Sequence, residues 1–297
     1  MGAGRSAGRL FRRAVAQEKP LQVVGTINAY TAIMAEKSGY RAIYLSGAGV
    51  ANAAFGLPDL GMTTLGDVLE EVRRLTGVTN LPLLVDIDTG FGNTFMIGRT
   101  IREMIRAGAA GVHIEDQTTS KRCGHRPGKT VVSLEVMIDR IKAAVDARTD
   151  PDFVVMARTD AFAVEGLEAT IERVCRYRDA GADMLFPEAL ADLAQYRRVA
   201  EVAGLPVMAN MTEFGVTPLY TLQQLTEGKV GLVLYPLSAF RAMNAAALRI
   251  YRAIRQEGTQ QGVLDDMQSR AELYDFLDYY AFERRQDEQP VKEDINE

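Results

Sequence analysis

Residues 82–88 read Pro-Leu-Leu-Val-Asp-Ile-Asp, an apolar run of strand length that ends in two carboxylates. A near-continuous apolar run is typical of a parallel strand that helices cover on both faces. Similar runs recur along the chain, and the predicted strands are 22–28, 42–46, 82–88, 111–116, 152–159, 184–189, 206–211 and 230–236. Between them, apolar residues three and four apart predict helices, for example at 65–75, 95–107, 134–147 and 167–180.

Short glycine-containing segments join several of these helices to the next strand. Gly39, Gly108 and Gly181 each follow a helical stretch and precede a predicted strand. Glycine at this place fits the left-handed helix stop of a tight turn. Eight strand–helix units predict an α/β fold, a closed (β/α)₈ barrel of the TIM type, with an open doubly wound sheet as the alternative. We expect residues 1–297 to form this single domain, with a helical extension at 240–283 and a disordered tail at 284–297.

The composition is that of an ordinary globular protein and narrows the choice of partners. Of the 297 residues, 47% are hydrophobic and 25% are charged, and the net charge is −5. A nucleic-acid partner is not expected, because phosphates require a dense face of Lys and Arg. A membrane is not expected either, because no apolar run reaches the ~18 residues of a span. The two cysteines are too few for a disulfide framework and predict a cytoplasmic location.

The first 20 residues are basic, with four arginines before the first acidic residue. This pattern resembles a transit peptide, and Gly2 with Ser6 fits the loose myristoylation pattern. The simpler interpretation is a short amphipathic helix in which Leu10, Phe11 and Ala14 pack over the bottom of the barrel. We favour this helix.

Polar residues fall at the C-terminal ends of most predicted strands. They are Asn28, Ser46, Asp86, Asp88, Glu115, Asp116, Arg158, Asp160, Glu188, Asn210 and Thr212. In (β/α)₈ barrels the chemistry takes place at this end of the strands. The sequence therefore predicts one site on this rim.

The carboxylates of this rim favour a divalent metal ion. Asp86 and Asp88 lie two residues apart on a predicted strand, so their side chains should point to the same face. Glu115, Asp116 and Glu188 add further oxygen ligands, and a site of oxygens alone suits Mg²⁺ or Mn²⁺. A zinc site of several histidines is unavailable, because the chain has only two histidines. The alternative for the Asp-x-Asp pair is a solvated loop or a helix cap.

So many acids require cations if the site is to bind an anion. Arg158, Arg241 and Arg270 are the candidates, because a guanidinium binds a carboxylate through two hydrogen bonds. A structural ion pair with Asp160 is the alternative for Arg158, and a structural role is a similar alternative for Arg241. Cys123 lies in a basic loop at 121–125, which favours an easily transferred thiol proton. Cys175 lies in a predicted helix, where we expect an inert thiol.

Together these motifs resemble the isocitrate lyase/phosphoenolpyruvate mutase superfamily over nearly the whole chain. The matching segments are Gly-Thr-Ile-Asn-Ala (25–29), Tyr-Leu-Ser-Gly (44–47), Gly-Leu-Pro-Asp (56–59), Asp-Ile-Asp-Thr-Gly-Phe-Gly (86–92), Ile-Glu-Asp-Gln (114–117), Lys-Arg-Cys-Gly-His (121–125), Ala-Arg-Thr-Asp (157–160), Phe-Pro-Glu (186–188) and Asn-Met-Thr-Glu (210–213). The Asp-x-Asp segment marks the superfamily. The cysteine loop at 121–125 marks its lyase members and is absent from the mutases, so the resemblance implies a carbon–carbon lyase.

The resemblance also implies roles for the matching residues. Asp86 and Asp88 would hold Mg²⁺, or Mn²⁺, and Cys123 would protonate a carbanion. The half of the substrate that is released as pyruvate would bind Ser46, Gly47 and Ala48, where relatives commonly have Ser-Gly-Gly. Further substrate contacts would come from Gly124, His125, Arg158, Glu188, Asn210, Thr212, Arg241 and Arg270.

The reaction implied by the resemblance is a retro-aldol cleavage of a tricarboxylate, 2-methylisocitrate, into pyruvate and succinate, a step of the methylcitrate cycle of propionate catabolism. Arg158 would stabilise the oxyanion at C2, and the base is either Tyr44 or a carboxylate such as Glu115. Isocitrate or 2,3-dimethylmalate cleavage, oxaloacetate decarboxylation and phosphonopyruvate chemistry are the alternatives, and Cys123 speaks against the last two. A metabolite-binding barrel without activity is the alternative outside enzymes.

Two further expectations concern substrate fit and assembly. Phe186, Leu234 and Pro236 are placed to form an apolar pocket for the extra methyl group of the substrate, unless they belong to the barrel core. The resemblance implies a homotetramer, a dimer of dimers in which C-terminal helices are swapped between neighbours.

Overall fold

The structure, a computed structural model, describes residues 6–288. The described residues form eight strands. They are β1 (Leu21–Gly25), β2 (Ile43–Leu45), β3 (Leu83–Asp86), β4 (Gly111–Glu115), β5 (Val154–Thr159), β6 (Met184–Pro187), β7 (Met208–Asn210) and β8 (Leu232–Tyr235). Every predicted strand is present, and each is shorter than predicted.

The eight strands form one parallel sheet that curls into a barrel. Their order is β6-β5-β4-β3-β2-β1-β8-β7, and all pairs are parallel. A bridge between Leu185 and Val207 joins the two ends of this sheet, and the Leu185 N–H donates to the Pro206 carbonyl at 3.0 Å. The predicted (β/α)₈ barrel is therefore confirmed, and the open sheet is wrong.

Helices alternate with the strands. They are α1 (Ala7–Gln17), α2 (Ala29–Lys37), α3 (Gly47–Phe55), α4 (Leu65–Thr76), α5 (Thr94–Arg106), α6 (Leu134–Asp146), α7 (Phe162–Glu165), α8 (Leu167–Asp179), α9 (Leu193–Ala203), α10 (Leu222–Glu227), α11 (Ser238–Glu257), a 3₁₀ helix (Gln261–Asp266), α12 (Arg270–Leu277) and α13 (Tyr279–Asp287). The four quoted helix predictions are confirmed as α4, α5, α6 and α8. Within residues 6–288, no helix combines the length and the apolar character that a membrane crossing requires.

The glycine turns before β2, β4 and β6 have the predicted backbone. Gly39, Gly108 and Gly181 have φ of 87°, 89° and 103°. A side chain is strained in this left-handed region, so glycine ends each helix and lets the chain turn directly into the next strand.

Two apolar cores explain why the strands are apolar on both faces. Leu83 and Val85 of β3 pack outward in the core between the strands and the helices. Leu84, between them, belongs to a second core inside the barrel, together with Phe186 and Leu234. Successive side chains of a strand point to opposite faces, so both cores draw on the same short runs.

Helix α1 is the amphipathic helix that we favoured for the N-terminus. Phe11 and Ala14 are buried in the core inside the barrel, and Leu10 is half-buried. Gly8 lies so close to the Asp152 carbonyl, before β5, that a Cβ would come within 2.3 Å of its oxygen. The targeting hypotheses depend partly on residues 1–5, which lie outside the described residues.

Replacing Phe11 with alanine is expected to lower the free energy of unfolding by about 3–5 kcal/mol, because the ring is fully buried under the barrel. Urea denaturation checks this value. The control is Arg13→Ala on the exposed face of the same helix, which is expected to change stability by less than about 0.5 kcal/mol. Equal stability of both variants would show that α1 does not cover the core.

The chain divides into two compact units, Met1–Phe240 and Arg241–Glu297. The first unit contains the barrel. The second contains most of α11 and the helices after it, with an ion pair of 2.9 Å between Arg249 and Asp266. The single domain with an extension at 240–283, and the helix swap, stay predictions.

The disordered tail that we expected at 284–297 is wrong for its first residues. Helix α13 continues to Asp287, with Arg284 and Arg285 in its last turn. Cations in the last turn of a helix interact favourably with the helix dipole and stabilise this end of α13. The prediction of disorder used only the charged composition of the segment, which does not show where the charges lie on a helix. Residues 289–297 lie outside the described residues.

Candidate functional site

Asp86 and Asp88 bring two carboxylates together at the C-terminal end of β3. Asp86 Oδ2 accepts a hydrogen bond from the Gly47 N–H at 3.1 Å, and Oδ1 accepts one from the Asp88 N–H at 3.0 Å. A Cβ at Gly47 would lie 3.1 Å from Asp86 Oδ2 and 3.2 Å from Asp88 Oδ1. The two carboxylates lie close together, as predicted, but for a different reason. Strand β3 ends at Asp86, so Asp88 is not part of the strand. The left-handed backbone at Asp88, with φ of 49°, directs its side chain back toward Asp86.

The pKa values of this pair reflect two buried like charges. Burial opposes ionisation of Asp86, but His113, Lys121 and Arg158 lower its pKa to about 2. Burial and the charge of Asp86 raise the pKa of Asp88 to about 6. Both groups are thus ionised at neutral pH, and a cation between them would relieve their repulsion.

Lys121 is a site residue that our sequence analysis did not single out. Its buried ammonium contacts Asp88 and lies 2.7 Å from Asp59 Oδ1. Although burial opposes it, the surrounding acids, Asp88 first, raise the pKa of Lys121, so it stays charged. The available signal was the position of Asp59 and Lys121 in two of the matching segments.

Arg158, at the end of β5, is surrounded by three buried carboxylates. Its Nε lies 3.0 Å from Asp160 Oδ2 and 3.3 Å from Glu115 Oε2, and its Nη2 lies 3.5 Å from Glu188 Oε2. The guanidinium also lies 5.3 Å from the centre of the Phe186 ring. The predicted structural pair with Asp160 and the predicted rim position are therefore both present.

Glu115 differs from its neighbours because its oxygens have no hydrogen-bond partner. Both are buried, and neither meets hydrogen-bond geometry within the described part of the chain, even with Arg158 at 3.3 Å. Burial raises the pKa of Glu115 well above its usual value, and Arg158 opposes this shift. A buried carboxylate without donors is costly unless a ligand or an ion completes it.

These donors fit a hard divalent cation. Asp86, Asp88 and Glu115 offer carboxylate oxygens only, and those of Glu115 lack partners. Within residues 6–288, no three His, Cys, Asp or Glu side chains form a ready metal cage. Mg²⁺ requires no such cage, because it keeps several waters and binds through one or two carboxylates.

Asp116 is a structural residue, and its expected place among the metal ligands is wrong. Its Oδ2 accepts hydrogen bonds from the Thr159 hydroxyl at 2.7 Å and the Tyr177 hydroxyl at 2.8 Å. Its Oδ1 accepts one from the Asp160 N–H at 2.9 Å. These bonds tie β4 to β5 and α8.

The cysteine loop, residues 121–125, is held against the rim. The Gln117 amide bonds the backbone of Arg122 twice, accepting from its N–H and donating to its carbonyl, both at 2.9 Å. Gly124 lies so close to Arg158 that a Cβ would come within 2.6 Å of Nη2. Cys123, between these anchored residues, is exposed. Cys123 is therefore one residue away from the point where the loop packs against Arg158.

Glu188 connects the cysteine loop with the barrel. His125 Nδ1 accepts a hydrogen bond from the Val216 N–H at 3.1 Å, so the ring proton is on Nε2, which lies 2.8 Å from Glu188 Oε1. The Asn210 amide donates to both oxygens of Glu188, at 3.3 and 3.4 Å. Burial opposes ionisation, but Arg158 and His125 lower the pKa of Glu188 to about 2.

Tyr44 lies inside the barrel below the acids. Its hydroxyl is 2.9 Å from His113 Nε2, which is 3.6 Å from Asp86 Oδ1. Burial and Asp86 raise the pKa of Tyr44 well above 10.0. Burial lowers the pKa of His113 to about 4, so this ring is neutral. A tyrosine that ionises so reluctantly is a poor base.

The other predicted site residues have the following positions. Ser46 is buried, and its hydroxyl caps α3 by accepting from the Gly49 N–H at 3.2 Å. Ala48 is half-buried, Thr212 and Pro236 are buried, and Phe186 and Leu234 belong to the core inside the barrel. Arg241 and Arg270 belong to the second unit, so their part in this site stays a prediction.

Comparisons with known proteins agree with this arrangement. The family model described as phosphoenolpyruvate phosphomutase matches residues 11–255. A curated relative from Escherichia coli (strain K12), named 2-methylisocitrate lyase, is 60% identical over 283 residues, which cover 95% of this chain and 96% of the relative.

Solved structures show the same fold. A 2,3-dimethylmalate lyase, described as a PEP mutase/isocitrate lyase superfamily member, is 32% identical with a TM-score of 0.88 and covers 98% of each chain. A phosphonopyruvate hydrolase in complex with oxalate and Mg++ is 26% identical with a TM-score of 0.83, covering 96% of this chain and 99% of that one. The barrel, the paired aspartates and the cysteine loop thus belong to an enzyme of the phosphoenolpyruvate phosphomutase family, in the isocitrate lyase/phosphoenolpyruvate mutase superfamily.

Proposed function

We propose that this chain is a carbon–carbon lyase that cleaves 2-methylisocitrate into pyruvate and succinate in a Mg²⁺-dependent retro-aldol reaction. The observation that carries the proposal is the packing of the cysteine loop, through Gly124, against Arg158 beside the paired aspartates. This packing supports a reaction in which a proton donor and an anion-binding guanidinium act on the same substrate. The E. coli relative named for this reaction supports the choice of substrate.

Asp86 and Asp88 are the residues proposed to hold Mg²⁺, directly or through water, with Glu115 beside them. A bound divalent ion lowers the pKa of a coordinated hydroxyl and neutralises the charge that develops on its oxygen. The Mg++ in the related phosphonopyruvate hydrolase supports this choice of metal. Mn²⁺ is expected to substitute, because it prefers similar oxygen ligands.

Glu115 is our candidate for the base that removes the proton from the C2 hydroxyl. Both of its oxygens are buried and have no hydrogen-bond donor among the described residues, so they can accept a proton from a bound hydroxyl. Tyr44 is the weaker candidate because its pKa is raised far above neutral. Arg158 would hold the developing oxyanion, since a preorganised cation in a buried site stabilises charge without rearranging.

Cys123 is proposed to deliver a proton to the enediolate of the succinate half. It lies in a basic loop, which favours an easily transferred thiol proton, and its side chain is exposed. Ser46, Gly47 and Ala48 are proposed to bind the pyruvate half. Further contacts are proposed for Gly124, His125, Glu188, Asn210, Thr212, Arg241 and Arg270.

The substrate assignment predicts a preference that a direct assay measures. We expect kcat/KM for 2-methylisocitrate to exceed that for isocitrate by about 10–200-fold, the range that one methyl group in an apolar pocket supplies. Mg²⁺-dependent pyruvate release is measured with 2-methylisocitrate, isocitrate, 2,3-dimethylmalate and oxaloacetate, with EDTA as the control. Equal or faster turnover of another acid would overturn the assignment.

The pocket for the extra methyl group stays a prediction. Phe186 and Leu234 are packed in the core inside the barrel, which is the alternative given for them, and Pro236 is buried. Binding of the acids without any turnover would favour the metabolite-binding barrel instead. The homotetramer and the cytoplasmic location stay predictions.

A further inference from the structure

Lys129 is a buried lysine that the proposed reaction does not use. Its side chain is 1% exposed, and its ammonium lies 2.7 Å from Asp160 Oδ1. The same ammonium donates to the carbonyl oxygen of Gly124. Lysine is rarely buried unless it is paired, so these two contacts account for its position.

The two partners of Lys129 belong to different parts of the site. Gly124 follows Cys123 in the cysteine loop, whereas Asp160 follows β5 and holds Arg158 through Nε at 3.0 Å and Nη2 at 3.2 Å. The ammonium therefore ties the backbone next to the thiol to the carboxylate that orients the guanidinium. No other side chain is recorded bonding to the Gly124 carbonyl in the described part of the chain.

The other contacts that hold the cysteine loop do not involve the Gly124 carbonyl. Gln117 holds the backbone of Arg122, and His125 is held at its ring by Glu188. The Arg126 N–H donates to the Cys123 carbonyl at 2.9 Å, a bond inside the loop region, and none of these three contacts joins the Gly124 carbonyl to the barrel. Removing the ammonium would leave Arg158 paired with its three carboxylates, so the expected effect is confined to the loop.

We propose that Lys129 is a positioning residue that sets the distance between the thiol of Cys123 and Arg158 by bonding the Gly124 carbonyl and Asp160 together. The inference rests on the acid role proposed above for Cys123. Lys129 itself would touch neither substrate nor metal. Its effect on turnover would pass through the cysteine.

A double-mutant cycle tests this dependence. Lys129→Met keeps the length of the side chain and removes the hydrogen-bond donors. We expect kcat to fall about 10²-fold, because a misplacement of the thiol by about 1 Å has an effect of this size. KM and Mg²⁺ affinity should change little. In a Cys123→Ser background the same substitution should cause no further loss, since groups that act as one unit are not additive. Lys129→Arg, which keeps a charged donor, should recover most of the activity. The control is Lys142→Met, an exposed lysine on α6 that should leave kcat unchanged.

Hydrogen exchange of the backbone supplies a readout that does not depend on the reaction. Amides of the peptide 121–128 should exchange roughly tenfold faster in Lys129→Met, while those of β3 to β5 keep their rates, because one charge-assisted hydrogen bond is lost. Additive losses in the cycle, or unchanged exchange in the loop, would overturn the proposal. If Lys129→Met does not fold, Lys129→Gln carries the same cycle, because its amide is too short to reach both oxygens. Full activity of Cys123→Ser would instead reject the proposed acid, and the exchange rates would still decide whether Lys129 holds the loop.

Discussion

The Cys123→Ser variant is expected to fold and to bind Mg²⁺ normally while its turnover falls by about 10²–10⁴-fold, the usual contribution of a general acid. A serine hydroxyl keeps the size of the thiol but releases its proton far less readily. The side chain is exposed and makes no side-chain hydrogen bond within residues 6–288, so the substitution should leave the loop in place. Steady-state pyruvate release and calorimetric Mg²⁺ titration measure the two quantities.

Cys175 supplies the matched control for this substitution. It is the other free cysteine, half-buried on α8, and Cys175→Ser should retain full turnover. Full activity of Cys123→Ser would remove the thiol from the mechanism. Equal losses in both variants would point to a general effect of replacing cysteine.

The Arg158→Met variant is expected to lose about 3–5 kcal/mol of unfolding free energy at pH 7, because buried carboxylates lose their shared cation. Asp160 keeps Lys129, and Glu188 keeps His125 and Asn210. Glu115 keeps no hydrogen-bond partner among the described residues, so its pKa should rise further once the guanidinium is lost. Urea denaturation measures the loss.

The pH dependence of this loss follows from Glu188. In the native protein its pKa is lowered from 4.5 to about 2, although burial opposes this, by Arg158 first and then His125. A lowered pKa contributes stability that is complete above pH 4.5 and disappears as the pH falls toward 2. The difference between native protein and variant should therefore be largest near neutrality and shrink in acid.

An exposed ion pair supplies the control for Arg158. Arg198 lies 2.6 Å from Glu168, with both side chains at least half exposed. Arg198→Met should change stability by less than about 1 kcal/mol, because solvent screens such pairs. A similar small change for Arg158→Met would contradict the account of a buried cation that three acids share.

The fold was predictable because its determinants are local in sequence. The apolar run that ends in Asp86, and runs like it, marked the strands, and Gly39, Gly108 and Gly181 marked three turns whose left-handed φ the structure confirms. The bridge between Leu185 and Val207 that closes the barrel could not be predicted from the sequence, because this pairing depends on the twist of the whole sheet. Eight strand–helix units indicate closure only by analogy with known barrels.

The site was predictable only where its residues fall at strand ends. The rim position of Asp86, Arg158 and Glu188 followed from that pattern. The buried lysines did not, because Lys121 meets Asp59 and Asp88, and Lys129 meets Asp160, across long stretches of chain. A lysine in a loop normally indicates solvent exposure, so only coordinates reveal such partners.

Asp116 shows the opposite error. It lies beside Glu115 at the end of β4 and looked like another ligand, yet neighbouring side chains of a strand point to opposite faces. Glu115 therefore lies beside Arg158, while Asp116 bonds Thr159 and Tyr177. Applied to the predicted strand 111–116, the same alternation would have placed the two side chains on opposite faces.

Crystals grown with Mn²⁺, pyruvate and succinate, measured at the manganese absorption edge, test most directly whether metal and thiol face each other across one substrate. We predict an anomalous peak bound by Asp86 and Asp88, directly or through water, with the two products lying between it and the sulfur of Cys123. A peak elsewhere on the protein, or a sulfur too far from the products for proton transfer, would contradict the proposed mechanism.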